Sequence, residues 1–344
     1  MKKILSLLLL PLLAFNAFAQ DQDEKQSWPK WMPDISGTIR AKAEYQTEEG
    51  ESRFQVRNAR IALDGAIIPA IIYKAEIDLS DEGRIRMLDA YAGVKPVDSW
   101  LLRLGQMRVP FSIDAHRSPH MQYFANRSFI AKQVGDVRDV GLAATFSPRS
   151  IPLTLEAGIF NGSGLTEQKD YWTRSLNFSA KAQYALPFGL TLQASVQKVS
   201  PSGGAIYLYD GGMTFQRGRW TLEAEYLRKH YTNKTFDNVN ALDAFVCYDL
   251  PLKRVFNKIS FLARYDMMDD HSDGVLNEQG VLQVDDAARK RVTGGITLSF
   301  VKKVHADLRL NYEKYFYDDI SKAQRSERDK AVVELVIHFP YKKK

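Results

Sequence analysis

From Asp34 onward the chain alternates apolar and polar residues with a period of two, and the polar half of the alternation is heavily charged. In the first such stretch Ile35, Gly37, Ile39, Ala41, Ala43 and Tyr45 share one face, and Ser36, Thr38, Arg40, Lys42, Glu44 and Gln46 share the other. Successive side chains of a β-strand point to opposite faces, so this spacing sorts charge from grease on a strand, whereas a helix would scatter the charges around its circumference. The pattern returns with the same polarity in Leu176–Leu186, in Trp220–Tyr226 and in Lys303–Glu313. A continuous apolar face opposite so many charges, repeated strand after strand, suits a sheet with lipid on one side and water on the other better than a soluble β-sandwich.

Sixteen such segments can be counted, near 34–46, 53–64, 71–80, 85–95, 100–109, 139–147, 152–160, 174–186, 190–199, 204–216, 219–230, 241–250, 258–267, 290–301, 303–316 and 329–339. Most have the ~9–11 residues that a tilted membrane strand needs. No stretch after residue 20 holds eighteen consecutive apolar residues, so a membrane crossing by helices is excluded there. The remaining solution in lipid is a closed barrel, which leaves no backbone N–H or C=O unpaired at an edge. The fold expected is all-β, a transmembrane antiparallel up-and-down barrel of about sixteen strands over residues 34–344. A slightly negative mean hydropathy of −0.31 agrees with half of each strand facing water.

Connections alternate in length. Tight turns at 96–99, 147–150, 187–189 and 217–218 fall on one side, and longer links at 111–138, 161–173, 231–240, 268–289 and 317–328 on the other. Short periplasmic turns and long outer loops have this asymmetry. Trp100, Trp220, Tyr226, Tyr248, Tyr265 and Tyr312 cluster near strand ends, where aromatic girdles sit.

The first residues form a separate unit. Lys2 and Lys3 precede the apolar run Ile4–Phe15, and Ala17-Phe18-Ala19 supplies a small-x-small cleavage pattern. Residues 1–20 therefore read as a secretory signal peptide, and export to a Gram-negative outer membrane is expected. A short polar segment, 21–33, separates it from the first strand, too short to be a plug domain. The single cysteine, Cys247, excludes an intramolecular disulfide framework and reads as a small filler on its strand. A formal charge of +6, or +4 without Lys2 and Lys3, is too mild to point to nucleic acid. No cofactor is implied. Asp269-Asp270-His271-Ser272-Asp273-Gly274 lacks the spacing and terminal glutamate of a calcium loop, and His230, His305 and His338 stand in no catalytic motif, so an enzyme is not expected.

The connection 111–138 is too long and too charged for a turn. It carries His116, Arg117, Arg127, Lys132 and Arg138 beside Asp114 and Asp136, and a loop of this length in a compact fold is usually functional. Folded inward it would constrict a lumen.

Further motifs carry a family resemblance. Phe54-Gln55-Val56-Arg57-Asn58-Ala59-Arg60-Ile61, Leu88-Asp89-Ala90-Tyr91 and Leu104-Gly105-Gln106-Met107-Arg108-Val109-Pro110-Phe111 are similar to strand motifs of the O/P-type phosphate-selective porins. Phe124-Ala125-Asn126-Arg127-Ser128, Arg138-Asp139-Val140-Gly141 and Phe160-Asn161-Gly162-Ser163-Gly164 resemble the constriction loop of that family and the motifs just after it. The resemblance implies a homotrimer of sixteen-stranded barrels in outer-membrane lipid, each with an inward third loop and basic residues that draw phosphate-like anions through. One departure is Asn58, which stands where the family often has a second arginine beside Arg57.

The arginines can be placed by parity. Arg60 shares a face with Ala62 and Asp64, opposite Ala59, Ile61 and Leu63, which puts it in the lumen. Arg57 falls on the other parity, and a bulge near Arg57 and Asn58 would bring both inward. Leu102 and Leu104 are the apolar positions before Gly105, and Met107 and Val109 the apolar positions after it. A slip there turns Arg103 and Arg108 inward together. Arg60, Arg103, Arg108 and Arg127 are the first candidates for anion-facing residues, followed by Arg57 and Arg138. A guanidinium is always charged and offers two parallel donors to an oxyanion. Glu76, Asp78 and Asp89 are lumen carboxylates that could neutralise these arginines instead. The sequence thus predicts a passive, anion-preferring pore, with phosphate as one solute. A non-selective diffusion pore and a sealed ligand-binding or adhesion barrel stand as the alternatives.

Overall fold

The protein is described here from a computed structural model covering residue 29 and residues 31–134, 138–165, 168–233, 236–300 and 305–341. The expected signal peptide and most of segment 21–33 lie outside the described residues. Sixteen antiparallel strands succeed one another: β1 Asp34–Gln46, β2 Glu51–Ile68, β3 Ile71–Asp81, β4 Arg84–Val94, β5 Trp100–Arg108, β6 Arg138–Phe146, β7 Leu153–Phe160 and β8 Asn177–Ala185. The second half comprises β9 Leu190–Val199, β10 Ile206–Arg217, β11 Trp220–Tyr231, β12 Val239–Pro251, β13 Phe256–Met268, β14 Arg289–Phe300, β15 His305–Tyr317 and β16 Lys330–Tyr341. Each pairs with its sequence neighbours, and β1 pairs with β16 from Ile35 opposite Tyr341 to Gln46 opposite Lys330, closing the barrel. Closure satisfies both edges of the sheet, as a hydrocarbon surrounding demands.

The alternation read from the sequence has its physical counterpart. On β1 Thr38, Arg40, Lys42, Glu44 and Gln46 are buried inside the barrel, while Ile35, Ile39 and Tyr45 are exposed on its outer surface. The molecule is inside-out relative to a soluble domain, with grease outward and charge inward. Aromatic pairs Trp100–Phe146, Trp220–Tyr248 and Phe256–Phe300 stand at the short-turn ends of their strands. They form a girdle at that rim. Strand ends differ from the alternation-based bounds by a few residues. β2 runs to Ile68 rather than 64, since Gly65 and Ala66 still pair with β3, and β8 begins at Asn177 rather than 174.

The connection between β5 and β6 enters the barrel. The chain leaves β5 past Pro110, whose carbonyl accepts from Ser179 Oγ on β8 at 2.8 Å, and bends at Ser112, which holds φ +61°. It crosses to β11, where Glu225 accepts from the N–H groups of Ile113 at 2.7 Å and Asp114 at 3.2 Å. A 3-10 turn at Pro119–Met121 brings it to the β15–β16 wall, and Ala125 N–H donates to Asn311 on β15 at 2.8 Å. It returns through a π-type turn at Ile130–Val134.

Candidate functional site: the basic cavity beside the inward segment

The inward segment has two unlike flanks. On one, Phe111, Phe129 and Ile130 pack with Ile206 and Leu208 of β10, Leu227 of β11, Val239 and Ala241 of β12 and Met268 of β13. Phe124 seats against Phe245, Cys247 and Leu262 nearby, so the lone cysteine is a buried filler inside the barrel. These positions are apolar on a strand face that elsewhere is charged. Burying such side chains removes their apolar surface from water and holds the segment against the β10–β13 wall.

The other flank faces a cavity of about 370 Å³, bounded by β1, β2 and the segment, with β14–β16 and the β15–β16 connection completing it. Nine basic side chains line it, namely Arg40, Lys42, Arg53, Arg57, Arg60, Arg127, Lys132, Arg291 and Lys330, against three carboxylates, Glu44, Glu82 and Glu327. A low-dielectric rim around charges of one sign focuses their field on whatever enters.

Each cation is held by a defined partner. Arg40 bonds Glu334 of β16 at 2.7 Å and donates to the Ala125 carbonyl of the segment at 2.7 Å. Lys42 donates to Asn126 Oδ1 at 2.5 Å. Arg291 pairs with Asp266 at 2.6 Å and donates to the Arg127 carbonyl at 2.7 Å. The wall's own cations thus clamp the segment through the Ala125 and Arg127 carbonyls and the Asn126 side chain.

A bulge decides the β2 contribution. Arg40 lies opposite Asn58 and Ala41 opposite Val56, so Arg57 is the extra residue. Its guanidinium reaches Asp81 at 2.6 Å and lines the cavity together with Asn58 and Arg60. An extra residue re-aims the side chains around it, and here it puts Arg57, Asn58 and Arg60 on one side within four positions. Arg60 is paired with Asp78 at 2.8 Å and Glu76 at 3.3 Å. Arg127 cross-links the segment itself through the carbonyls of Asp114 and Arg117. Burial alone would raise the Asp114 carboxyl, but Arg127, Arg117 and the Ser128 N–H outweigh it and hold it down to about 2.

The remaining predicted arginines sit elsewhere in the lumen. Arg103 bonds Thr145 at 3.2 Å and Glu156 at 3.3 Å, Arg108 donates to the His116 carbonyl, and Arg138 pairs with Asp89 at 2.8 Å. Glu76 bridges the two groups, lying 3.3 Å from Arg60 and 3.5 Å from Arg138. Around Gly105 the chain holds φ +133°, and a Cβ there would lie 2.3 Å from the Ala90 carbonyl oxygen. Leu102 and Leu104 before it are exposed on the outside. Met107 and Val109 after it are buried, not turned to lipid as the apolar spacing suggested, because they join the packed cluster under the segment. Arg40, Lys42, Arg53, Arg291 and Lys330 were not singled out by sequence reasoning, and Lys132 was noted only as part of the long connection. The parity of β1 places Arg40 and Lys42 inward, but nothing local says that β16 and the segment meet them there.

Residues 36–215 match the family of phosphate-selective porins O and P. The chain belongs to that family. It is an outer-membrane porin, and the families and folds it resembles are channels rather than enzymes. A search of curated proteins found no match for this porin. Among solved structures it is similar to Salmonella typhi OmpF in complex with daunomycin, at 14% identity and TM-score 0.62 over 90% of this chain and 98% of that one. Vibrio cholerae OmpT in a trimer form matches at 10% identity and TM-score 0.61, covering 91% of this porin and 100% of that chain. An anion-selective porin from Comamonas acidovorans matches at 12% identity and TM-score 0.59, over 89% and 98%. At these identities the likeness is one of fold.

Proposed function

We propose that this porin passes small anions by diffusion and prefers oxyanions of the phosphate class, with the basic cavity beside the inward segment as its selective element. The observation that carries the reading is the cavity's balance of nine cations to three carboxylates, set where the segment narrows the lumen. Arg57, Arg60 and Arg127 are the residues of the sequence-level set that line it, joined by Arg40, Lys42 and Arg291. Arg103, Arg108 and Arg138 act at one remove, setting the field of the adjoining wall. Paired guanidiniums keep N–H donors for a passing oxyanion and bind it weakly, which permits entry and exit. The family name and the anion-selective Comamonas porin support the same choice of sign. No bond is made or broken in this function, and no cofactor enters it. The OmpT trimer form supports a homotrimer in outer-membrane lipid as the working assembly. Residues 1–20 fit a cleaved export signal ahead of the barrel, whose described strands run from Asp34 to Tyr341.

The test is single-channel recording in planar bilayers. A reversal potential of anionic sign under a KCl gradient, together with block of the chloride current by millimolar or lower phosphate, is the expected result. A reversal potential near zero would reduce the porin to a general diffusion pore. Absence of conductance would identify a sealed barrel.

A further inference from the structure

Charge is arranged differently at the two rims of the barrel. Where the long connections lie, arginines find carboxylates: Arg86 pairs with Asp81 at 3.2 Å, Arg328 with Glu49 at 2.6 Å and Arg325 with Glu51. At the rim of the short turns Arg149 has Asp98 at 2.9 Å. The ends of β10–β13 carry four exposed cations, Arg217, Arg219, Lys253 and Arg254, and none of them forms an ion pair among the described residues. Asp249, the carboxylate close to them in sequence, shares the inward parity of buried Cys247 and is held by Lys258 at 2.6 Å and Ser260 at 2.5 Å.

The sheet fixes which way the two arginines point. Arg217 is the register partner of Trp220, and Trp220 that of Tyr248, so all three share the outer face. Arg219, in the turn between β10 and β11, donates to the Tyr248 hydroxyl at 3.4 Å. Both guanidiniums therefore stand outside the wall, at the level of the aromatic girdle, and the wall separates them from any solute in the lumen. Lys253 and Arg254 occupy the next turn, 252–255, and the bond from Asp249 N–H to the Arg219 carbonyl at 2.8 Å joins β12 to the first turn just before it. Large apolar side chains stand among the cations, with Phe188 53% exposed, Trp220 51% and Val255 67%.

Short turns face the periplasm, so this girdle meets the phospholipid leaflet of the outer membrane. Trp and Tyr rings settle where acyl chains give way to headgroups, and Lys and Arg at that depth are drawn to anionic lipid. A guanidinium offers paired donors to a phosphate. A zwitterionic headgroup brings a cation of its own to a patch that already has four without counter-ions, whereas a headgroup of net negative charge supplies what the patch lacks. We propose that the short-turn ends of β10–β13 form a docking surface for an anionic phospholipid. Arg217 and Arg219 hold its phosphate, Lys253 and Arg254 add to the attracting field, and Phe188, Trp220 and Val255 lie against its acyl chains.

Native mass spectrometry of the detergent-solubilised porin, with phosphatidylglycerol or phosphatidylcholine of the same chain length added to the micelles, tests this. Phosphatidylglycerol is expected to be retained about fivefold better, and less so as salt is raised. Arg217→Gln/Arg219→Gln should bring the two lipids within twofold of each other, and Lys253→Gln/Arg254→Gln, confined to an exposed turn, should halve the preference. Arg86→Gln/Arg328→Gln removes as much charge from the opposite rim and should leave it unchanged. Equal retention of the two lipids by the unaltered porin overturns the proposal, as does a preference that survives both short-turn variants. Displacement of the lipid by equimolar glycerol phosphate, a headgroup without chains, would make the patch a phosphate site instead. Loss of the oligomer in Arg217→Gln/Arg219→Gln with barrel mobility on heat-modifiable gels intact would make it a subunit contact, and either result also overturns the proposal.

Discussion

The two flanks of the inward segment divide the lumen into halves that obey different rules. Against β10–β13 the segment is packed by Phe111, Phe129 and Ile130 much as a soluble core is packed, with Glu225 of β11 and Asp266 of β13 accepting from its Ile113, Asp114 and Phe129 N–H groups. Against β1, β2 and β14–β16 it is held by charge-assisted hydrogen bonds to its own carbonyls and looks onto a basic space. The difference separates position from selectivity. Apolar burial is not screened by salt as charge pairs are and makes no charge contact with the passing ion, so it can fix the segment while the charged flank varies its occupancy.

The largest expected effect comes from breaking the packed flank. Phe111→Ala removes a buried aromatic of the packed cluster that does not line the basic cavity, at a cost of ~3–5 kcal/mol. The barrel's own ladders remain, so single-channel conductance should rise several-fold with folding intact by heat-modifiable gel mobility. Unchanged conductance would mean that the hydrogen bonds alone hold the segment. Next comes the charged flank, where Arg60→Gln leaves Asp78 and Glu76 in excess. Phosphate block should weaken about tenfold, equivalent to ~1.4 kcal/mol, and the reversal potential should move toward cations. An unaltered block constant would place selectivity elsewhere.

A smaller effect is expected from pH. His120 of the segment stacks on His338 of β16 with ring centroids 3.7 Å apart, with His305 5.8 Å away and Arg309 donating to the His120 carbonyl. Burial first, then His338, His305, Arg309 and Arg108, lower the His120 imidazole to about 4 from an ordinary value of 6.5. A neutral ring thus belongs to the native state and the unfolded chain takes up the proton first. This contribution to docking is complete above pH ~6.5 and declines as pH falls toward 4. Current noise from segment motion should grow over that window and be flat in His120→Gln. The smallest effect belongs to Arg103→Gln. Its partners are Thr145 and Glu156, away from the basic cavity, so phosphate block should change less than twofold. A larger change would extend the selective element along β5.

The strands were legible because alternation is a local property, and β1 and β9 begin and end where the pattern does. The bulge at Arg57 was legible for the same reason, from two apolar residues out of phase with those after Asn58. The cavity was only half legible. Arg57, Arg60 and Arg127 line it, but Arg103, Arg108 and Arg138 do not. Parity says which residues face inward and is silent on which inward residues share a space. That depends on the segment's route and on contacts such as Arg40 with Glu334, 294 residues apart. The apolar seat on β10–β13 was hidden too, because residues apolar on both faces carry no alternation signal.

The seam between the first and last strands has a consequence for assembly. Glu334 accepts from Arg40 at 2.9 Å and from Arg309 at 3.0 Å, and lies 4.0 Å from Lys42. Until β16 docks, Arg40 and Lys42 stand on an open edge with no counter-ion from that strand. Contacts of such sequence separation form late and slowly. The arrival of one carboxylate therefore joins three events that are separate in most folds: the sheet loses its last edge, two cations gain a shared counter-ion, and the carbonyl of Ala125 gains a fixed donor. Closing the cylinder and seating its internal partition become a single cooperative step.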